Sequence, residues 1–492
     1  MAVVCGHLYT GALTSVGELW VFGKNSYGQL GVGTHDDYCL PTLLNFAPII
    51  DDDLDVNDTS IVFVSLAKTH AACVTEKGNV FTWGNNMFGQ LGFVSTAALF
   101  RPTLVYKETQ MGSRAIMVSC GDAHTLVLLD LGCILSCGNG SSGQLGHGDR
   151  GARSTLYLVE SALFTGNDFV MVEAGAAHSM ALDCNGGIFT WGNDLYGQLG
   201  HGHINLDNTF NEHSFFGTSS PKLIDTSMFG EDVAVQIAAG SQHSAIITKN
   251  GDLWCFGDGR FGQLGLGNIL SVCVPTHVGG AGHSGFAGSQ AVLVRCGCYF
   301  SLVLTDLGSV WTFGMNEDGA LGHNDYVDRS VPTLIEMSNF DNRRIVSLSG
   351  GTGQSAAVTD QGTLYTWGSG NMENPDEENG LGHLDKSDKL LPTLIEPRFF
   401  DDARIGRFQN LLPSHMLAFA MGTHAILGGA VSTRRSRRQR GKSPAIAQDG
   451  LTCLYQSMPS ELIRKIIEAG RYVCPAYAGK YHGIRRVLGD FK

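Results

Sequence analysis

The chain has 492 residues, 43% hydrophobic and only 16% charged, with 65 Gly against 13 Pro and a formal net charge of −13. That is the make-up of a globular protein. No apolar run approaches the about 18 residues of a membrane helix, and no basic segment followed by a long apolar one opens the chain, so a spanning helix and a secretory leader are not expected.

Glycine at about double its ordinary usage favours short strands and tight turns over exposed helices. Charge divides the sequence in two. From residue 430 onward 13 Lys and Arg face 4 Asp and Glu, a net of +9, which leaves −22 on the first 429 residues. The acidic body repels nucleic-acid phosphate and suits a basic protein partner; the tail does the reverse. The 13 Cys lack metal-ligand spacing, and Cys296-Gly297-Cys298 is too tight for a zinc knuckle. They read as small buried apolar residues of a reducing compartment, cytosol or nucleus, and no metal or cofactor is expected.

In chain order the first predicted element is a strand ending Trp20-Val21-Phe22-Gly23, followed by Gly28-Gln29-Leu30-Gly31 and a further strand opening at Pro41. The same succession returns along the chain. The leucine of Gly-Gln-Leu-Gly, or of its degenerate copies, stands at 30, 91, 145, 199, 264, 321 and 381, with spacings of 61, 54, 54, 65, 57 and 60. Aromatic strands precede these copies, as in Phe81-Thr82-Trp83-Gly84, Phe189-Thr190-Trp191-Gly192, Trp254-Cys255-Phe256-Gly257, Trp311-Thr312-Phe313-Gly314 and Tyr365-Thr366-Trp367-Gly368. The third copy has Leu135-Ser136-Cys137-Gly138 instead. Alternation of Trp, Phe and Thr with period two is a strand signal. Upstream lies a second strand introduced by Gly-x-x-His (Gly121 with His124, Gly175 with His178, Gly240 with His243), and Asn250-Gly251 joins two strands as a hairpin turn. Each unit reads as four short strands, one blade of a propeller.

One stretch, Gly257-Asp258-Gly259-Arg260-Phe261-Gly262, fits the G-x-G-x-x-G of a nucleotide loop. Its third position is Asn25, Asn86, Gly140, Asp194, Gly259 and Asn316 in successive copies, a set that tolerates left-handed backbone. A dinucleotide loop must also open a helix, whereas this one leads to Gln-Leu-Gly and another strand. The expectation is a turn, not a phosphate cradle. His147, His201, His323 and His383 recur one per unit, too far apart around a ring to share a metal, and are expected to serve the turn. The Gly-x-x-His rings are expected to be buried and to donate to a backbone carbonyl. Tyr9, Phe300 and Gln354 stand at the same position in other copies. No nucleophile elbow or paired carboxylate stands out, so catalytic residues are not expected.

Departures from the repeat carry the candidate interaction loops. The longest spacing contains Phe210, Phe215 and Phe216; the seventh unit inserts Glu373, Asp376, Glu377 and Glu378. After the repeats, Arg434, Arg435, Arg437, Arg438, Arg440 and Lys442 form a basic arm, read as a nuclear-import or nucleic-acid-contacting segment or a solvated linker. Leu462, Ile463, Ile466 and Ile467 then mark an amphipathic helix ended by Gly470.

Gly-x-x-His, the aromatic-Gly strand end and Gly-Gln-Leu-Gly together resemble the regulator of chromosome condensation family, over about residues 2–428. The resemblance implies an all-β seven-bladed propeller of four-stranded blades over 1–429, a basic disordered linker over 430–450 and a small helical tail over 451–492. An eighth copy of the Gly-x-x-His strand around 411–420 is expected to join the N-terminal strands in the closing blade, competing with another copy for one slot. The family includes an exchange factor for the Ran GTPase, a plant ultraviolet photoreceptor and modules of large ubiquitin ligases. All six Trp fall in the aromatic strands, read as inner ones, so none is spare for a photoreceptor cluster, and the tail is too short for a ligase domain. The expected function is a non-enzymatic interaction scaffold, cytoplasmic or nuclear, whose partners are proteins: a small GTPase or a ubiquitin-pathway component. The alternative is nucleotide exchange on a Ran-like GTPase, with the tail touching chromatin.

Overall fold

In the computed structural model the described residues are 1–45, 60–107, 111–160, 164, 168–202, 217–279, 286–370, 380–385 and 387–396. They form seven four-stranded antiparallel sheets, each a simple meander of consecutive strands. Blade 1 comprises β1 (Ala2–Cys5), β2 (Tyr9–Leu13), β3 (Leu19–Gly23) and β4 (Tyr38–Leu43). Blades 2 to 7 span 61–106, 115–158, 169–223, 234–277, 291–334 and 345–394. The first strand of each blade lies against those of its neighbours at the axis; the fourth forms the outer rim. The aromatic strand is therefore third from the axis, not inner as the sequence reading had it.

Every second strand is buried along its length, because both of its faces meet a neighbouring blade. Such strands read as continuous apolar runs, as in Leu126-Val127-Leu128-Leu129. The outer strands carry mostly exposed and half-buried residues. Proline falls in these outer edge strands, where a missing N–H costs no ladder bond.

The ring closes without shared strands. Blade 1 is complete from the N-terminal segment and blade 7 from contiguous chain, so no slot is left for an eighth copy among the described strands; residues 411–420 lie outside them. The closing seam is made by side chains. Cys5 N–H donates to Ser349 Oγ (2.9 Å), Gln354 Nε2–H to Tyr9 O (2.8 Å), and Thr10 Oγ–H to Gly380 O (2.7 Å). Ser65 and Ser119 likewise accept from Cys120 N–H (3.0 Å) and Ala174 N–H (2.9 Å) of the next blade. These serines satisfy inner-strand N–H groups that an edge would otherwise leave open.

Candidate interaction face

The loop between first and second strands and the loop between third and fourth emerge on one face of the ring, and the repeat motifs sit at its base. Their recurring chemistry is spent between blades. His70, His124, His178 and His243 are fully buried. Their Nε2 atoms lie 2.9, 3.0, 3.0 and 3.0 Å from the hydroxyls of Thr125, Ser179, Ser244 and Ser301, each on the next blade. Those hydroxyls donate to the carbonyls of Gln90, Gln144, Gln198 and Gln263. With its one proton so used, each hydroxyl must accept from a histidine Nε2–H, which fixes the tautomer. This corrects the sequence reading: the ring donates to a hydroxyl of the neighbouring blade, not to a backbone carbonyl. The motif glycine is needed because the ring lies on it; a Cβ on Gly175 would stand 2.2 Å from His178 Cε1. The four Nδ1 atoms have no partner, and burial lowers these histidines to about 3, or about 4 for His243.

Gly-Gln-Leu-Gly is the other half of the seam. The Gln carbonyl that takes a hydroxyl also takes an indole: Trp191 Nε1–H donates to Gln144 O at 2.8 Å, as Trp83 does to Gln29 O. The second glycine leaves room for that ring, since a Cβ on Gly146 would meet Trp191 Nε1 at 2.9 Å. The first glycine lies against the outer strand of the next blade, and a Cβ on Gly262 would fall 2.7 Å from Ser330 Cα. The G-x-G-x-x-G stretch thus runs from a third strand to a fourth without a helix.

The loop's Asn and Gly positions need a correction as well. None of Asn25, Asn86, Gly140, Asp194, Gly259 and Asn316 has a positive φ. Instead Asn25, Asn86, Asp194 and Asn316 accept the N–H of Leu30, Leu91, Leu199 and Leu321, each at 2.9 Å. Gly140 and Gly259 are small for a steric reason, because a Cβ would come within 2.0 Å of Gly151 O and 2.1 Å of Leu270 O. His147, His201, His323 and His383 face the hydroxyls of Ser136, Thr190, Thr312 and Thr366 in their own blades at 2.8–3.0 Å, which is the turn role expected of them. No group of three or more His, Cys, Asp or Glu among the described residues could hold a metal ion.

What projects from this base is aromatic on one side and acidic on the other. Tyr27 is 44% exposed, Met87 64% and Phe88 45%. Further round, Arg260 stacks over Tyr196 with Cζ 4.4 Å from the ring centroid, while the buried Asp258 holds its guanidinium at 2.9 and 3.0 Å. Phe261 packs on Tyr299 at 5.3 Å between centroids, so the loops of blades 4, 5 and 6 form one pre-set surface. Blades 6 and 7 contribute Glu317, Asp318, Asp328 and Asp388. Burial, then the charges of Asp388 and Glu317, raise Asp318 to about 6. A carboxyl raised by folding weakens the native state as pH rises past it. Asp318→Asn is expected to match the wild type in thermal unfolding near pH 4. By pH 7.5 it should exceed it by about 1 kcal/mol, after discounting for solvent screening.

The sequence reading missed this surface because the loop was classed as scaffold. The available signal was the residue just before Gly-Gln-Leu-Gly, which is aromatic at 27, 88, 196 and 261. The loops it did single out, with Phe210, Phe215, Phe216, Glu373, Asp376, Glu377 and Glu378, lie outside the described residues. So do the basic arm from Arg434 to Lys442 and the helix ended by Gly470.

Fold and seams together define a seven-bladed propeller of contiguous four-stranded blades, latched by a histidine–hydroxyl–carbonyl bridge and a Gly-Gln-Leu-Gly turn. The chain belongs to the regulator of chromosome condensation (RCC1) repeat family. Residues 1–227 match the RCC1-like domain, and 234–263, 250–304 and 308–358 match the RCC1 repeat. The ultraviolet-B receptor UVR8 of Arabidopsis thaliana is 30% identical over 343 residues, 69% of this chain and 71% of that protein. The human E3 ubiquitin-protein ligase HERC2 is 29% identical over 72% of this chain, which spans only 7% of the ligase. Among solved structures, yeast RCC1 (Prp20) bound to Kap60 aligns with a TM-score of 0.63 at 20% identity, covering 80% of this chain and 87% of that one. Human WBSCR16 aligns at 0.63 and 22%, covering 77% and 94%. These structures share the fold.

Proposed function

We propose that this chain is a non-catalytic protein-interaction module, and that partners dock on the face carrying the loops between first and second and between third and fourth strands. One observation carries the reading. Among the described loop residues the exposed aromatics, Tyr27, Phe88 and Tyr326, are all on that face, whereas the described turns of the opposite face expose aliphatic side chains such as Val16, Leu131 and Leu307 and no aromatic one. Aromatic residues and arginine are what protein interfaces enrich, and rings fixed by neighbouring loops lose little entropy on binding.

The test replaces Tyr27, Met87 and Phe88 by Ser in the whole chain and compares cross-linked, captured partners with those of a control altered at Val16, Leu131 and Leu307. Partners should be lost from the first form and kept by the second. Loss from the control alone ends the reading. Exchange activity rests on the likeness to yeast RCC1 (Prp20p), a protein with binding properties to Gsp1p and histones, at 22% identity. Under the module reading, catalytic amounts of this chain leave the release of labelled GDP from a Ran-like GTPase unchanged; acceleration would establish the exchange reading in its place.

A further inference from the structure

The acidic side of the same face points to the chemistry of what it binds. The loops of blades 6 and 7 hold Glu317, Asp318, Asp328 and Asp388, none of them in an ion pair with another described residue, whereas the nearby Asp325 and Asp385 are already taken by Arg329 and Lys389. Asp328 lies beside Glu317, since its carboxylate accepts Asn316 N–H at 2.7 Å. Asp388 accepts Tyr326 O–H at 2.9 Å, which ties the acidic group to an apolar one across the blade boundary. Tyr326 and the adjacent Val327 are 50% and 63% exposed. The blade 6 loop is anchored where it passes its neighbour, because Asn324 N–H donates to Leu390 O at 2.8 Å with Asn324 in the left-handed region.

The result is an exposed apolar step on a pinned loop, bordered by carboxylates without a cation among the described residues; burial first, and then the charges of Asp388 and Glu317, raise Asp318. A partner that brings both an apolar side chain and positive charge satisfies the step and the border together, whereas an acidic or purely apolar one meets repulsion or leaves the carboxylates unpaired. We propose that this sector is the docking site for a lysine- and arginine-rich peptide segment of a protein partner, anchored by an apolar residue on Tyr326 and Val327. The proposal rests on the reading of this face as the interaction face and names the partner class.

The experiment measures fluorescence anisotropy of three labelled 12-residue peptides titrated with the whole chain. One is Lys/Arg-rich with two leucines, one has those leucines replaced by serine, and one is acidic. The same titrations use a chain with Arg434, Arg435, Arg437, Arg438, Arg440 and Lys442 changed to Gln, so that its own cations cannot compete. The leucine-bearing basic peptide should bind saturably and the acidic one should not. Asp318→Asn with Asp388→Asn should weaken it about tenfold and flatten its salt dependence. Val327→Ser should weaken the leucine peptide several-fold and leave the serine peptide unchanged. Thermal unfolding of each variant checks that the fold persists. Two outcomes overturn the inference: no saturable binding by either chain, or binding indifferent to the two Asp→Asn changes. If partner capture is then still lost on changing Tyr27, Met87 and Phe88, the interaction face stands and only this partner class falls.

Discussion

Lowering the pH from 7.5 to 5 should cost this propeller far more stability than its surface charges explain, and His178→Gln should recover part of the loss. His70, His124 and His178 are held at about 3 and His243 at about 4, all by burial, whereas the unfolded chain protonates histidine from about 6.5 downward. A base whose folded pKa is depressed leaves the native state undiminished above about 6.5, and the penalty grows as pH falls toward the folded value. At pH 5 that amounts to about 2 kcal/mol per histidine, so the four together remove a large share of an ordinary domain's stability. Glutamine is the informative replacement because blade 7 already uses it. Gln354 Nε2–H donates to Thr10 Oγ at 2.9 Å, the place a histidine takes in blades 2 to 5. His178→Gln should therefore cost about 1 kcal/mol at pH 7.5, from a changed ring volume, and gain on the wild type by about 2 kcal/mol on going to pH 5. Urea denaturation at the two pH values reads both. Equal pH dependence in the two proteins would mean that the ring is not held neutral at the seam.

The architecture was legible in the sequence because each blade is a local meander, so every copy writes its strands and turns in the same order within about 60 residues. The seams were legible only as motifs. His124 and its hydroxyl partner Ser179 are 55 residues apart, and nothing in one copy says that its ring reaches into the next. Asn25 and Asn316 misled for a related reason. Asparagine is common in left-handed turns, but here it was selected for an Oδ1 that holds a leucine N–H, a distinction the residue type does not carry. Ring closure was left between two copies because the first blade's inner strand, Ala2–Cys5, stands before any motif and has no repeat signature of its own. The proposed interaction face was hidden differently: Tyr27, Phe88, Tyr196 and Phe261 lie inside a structural turn, and only the geometry shows that Tyr27 and Phe88 are exposed there.

The second large effect is expected at Trp191. The ring is fully buried in the largest apolar cluster, packs edge-on against Phe164 at 6.2 Å, and fills the space left by Gly146. Trp191→Ala should destabilise by about 4 kcal/mol, the combined loss of transfer energy and the cavity left between blades 3 and 4. Trp191→Phe should cost only about 1 kcal/mol, for two reasons visible in the other blades. Phe22, Phe256 and Phe313 occupy the same slot against Gly382, Gly200 and Gly265. The Gln144 carbonyl, deprived of the indole donor, keeps Ser179 Oγ–H at 2.8 Å. Cys137 in blade 3 shows how far the slot can relax, since a Cβ on Gly92 would find nothing nearer than 3.5 Å. Denaturant midpoints for the two variants separate the contributions. A Phe variant as unstable as the Ala variant would assign the seam's strength to the indole hydrogen bond. A large Ala effect beside a small Phe effect would assign it to packing, which is what the mixture of Trp, Phe and Cys around the ring leads us to expect.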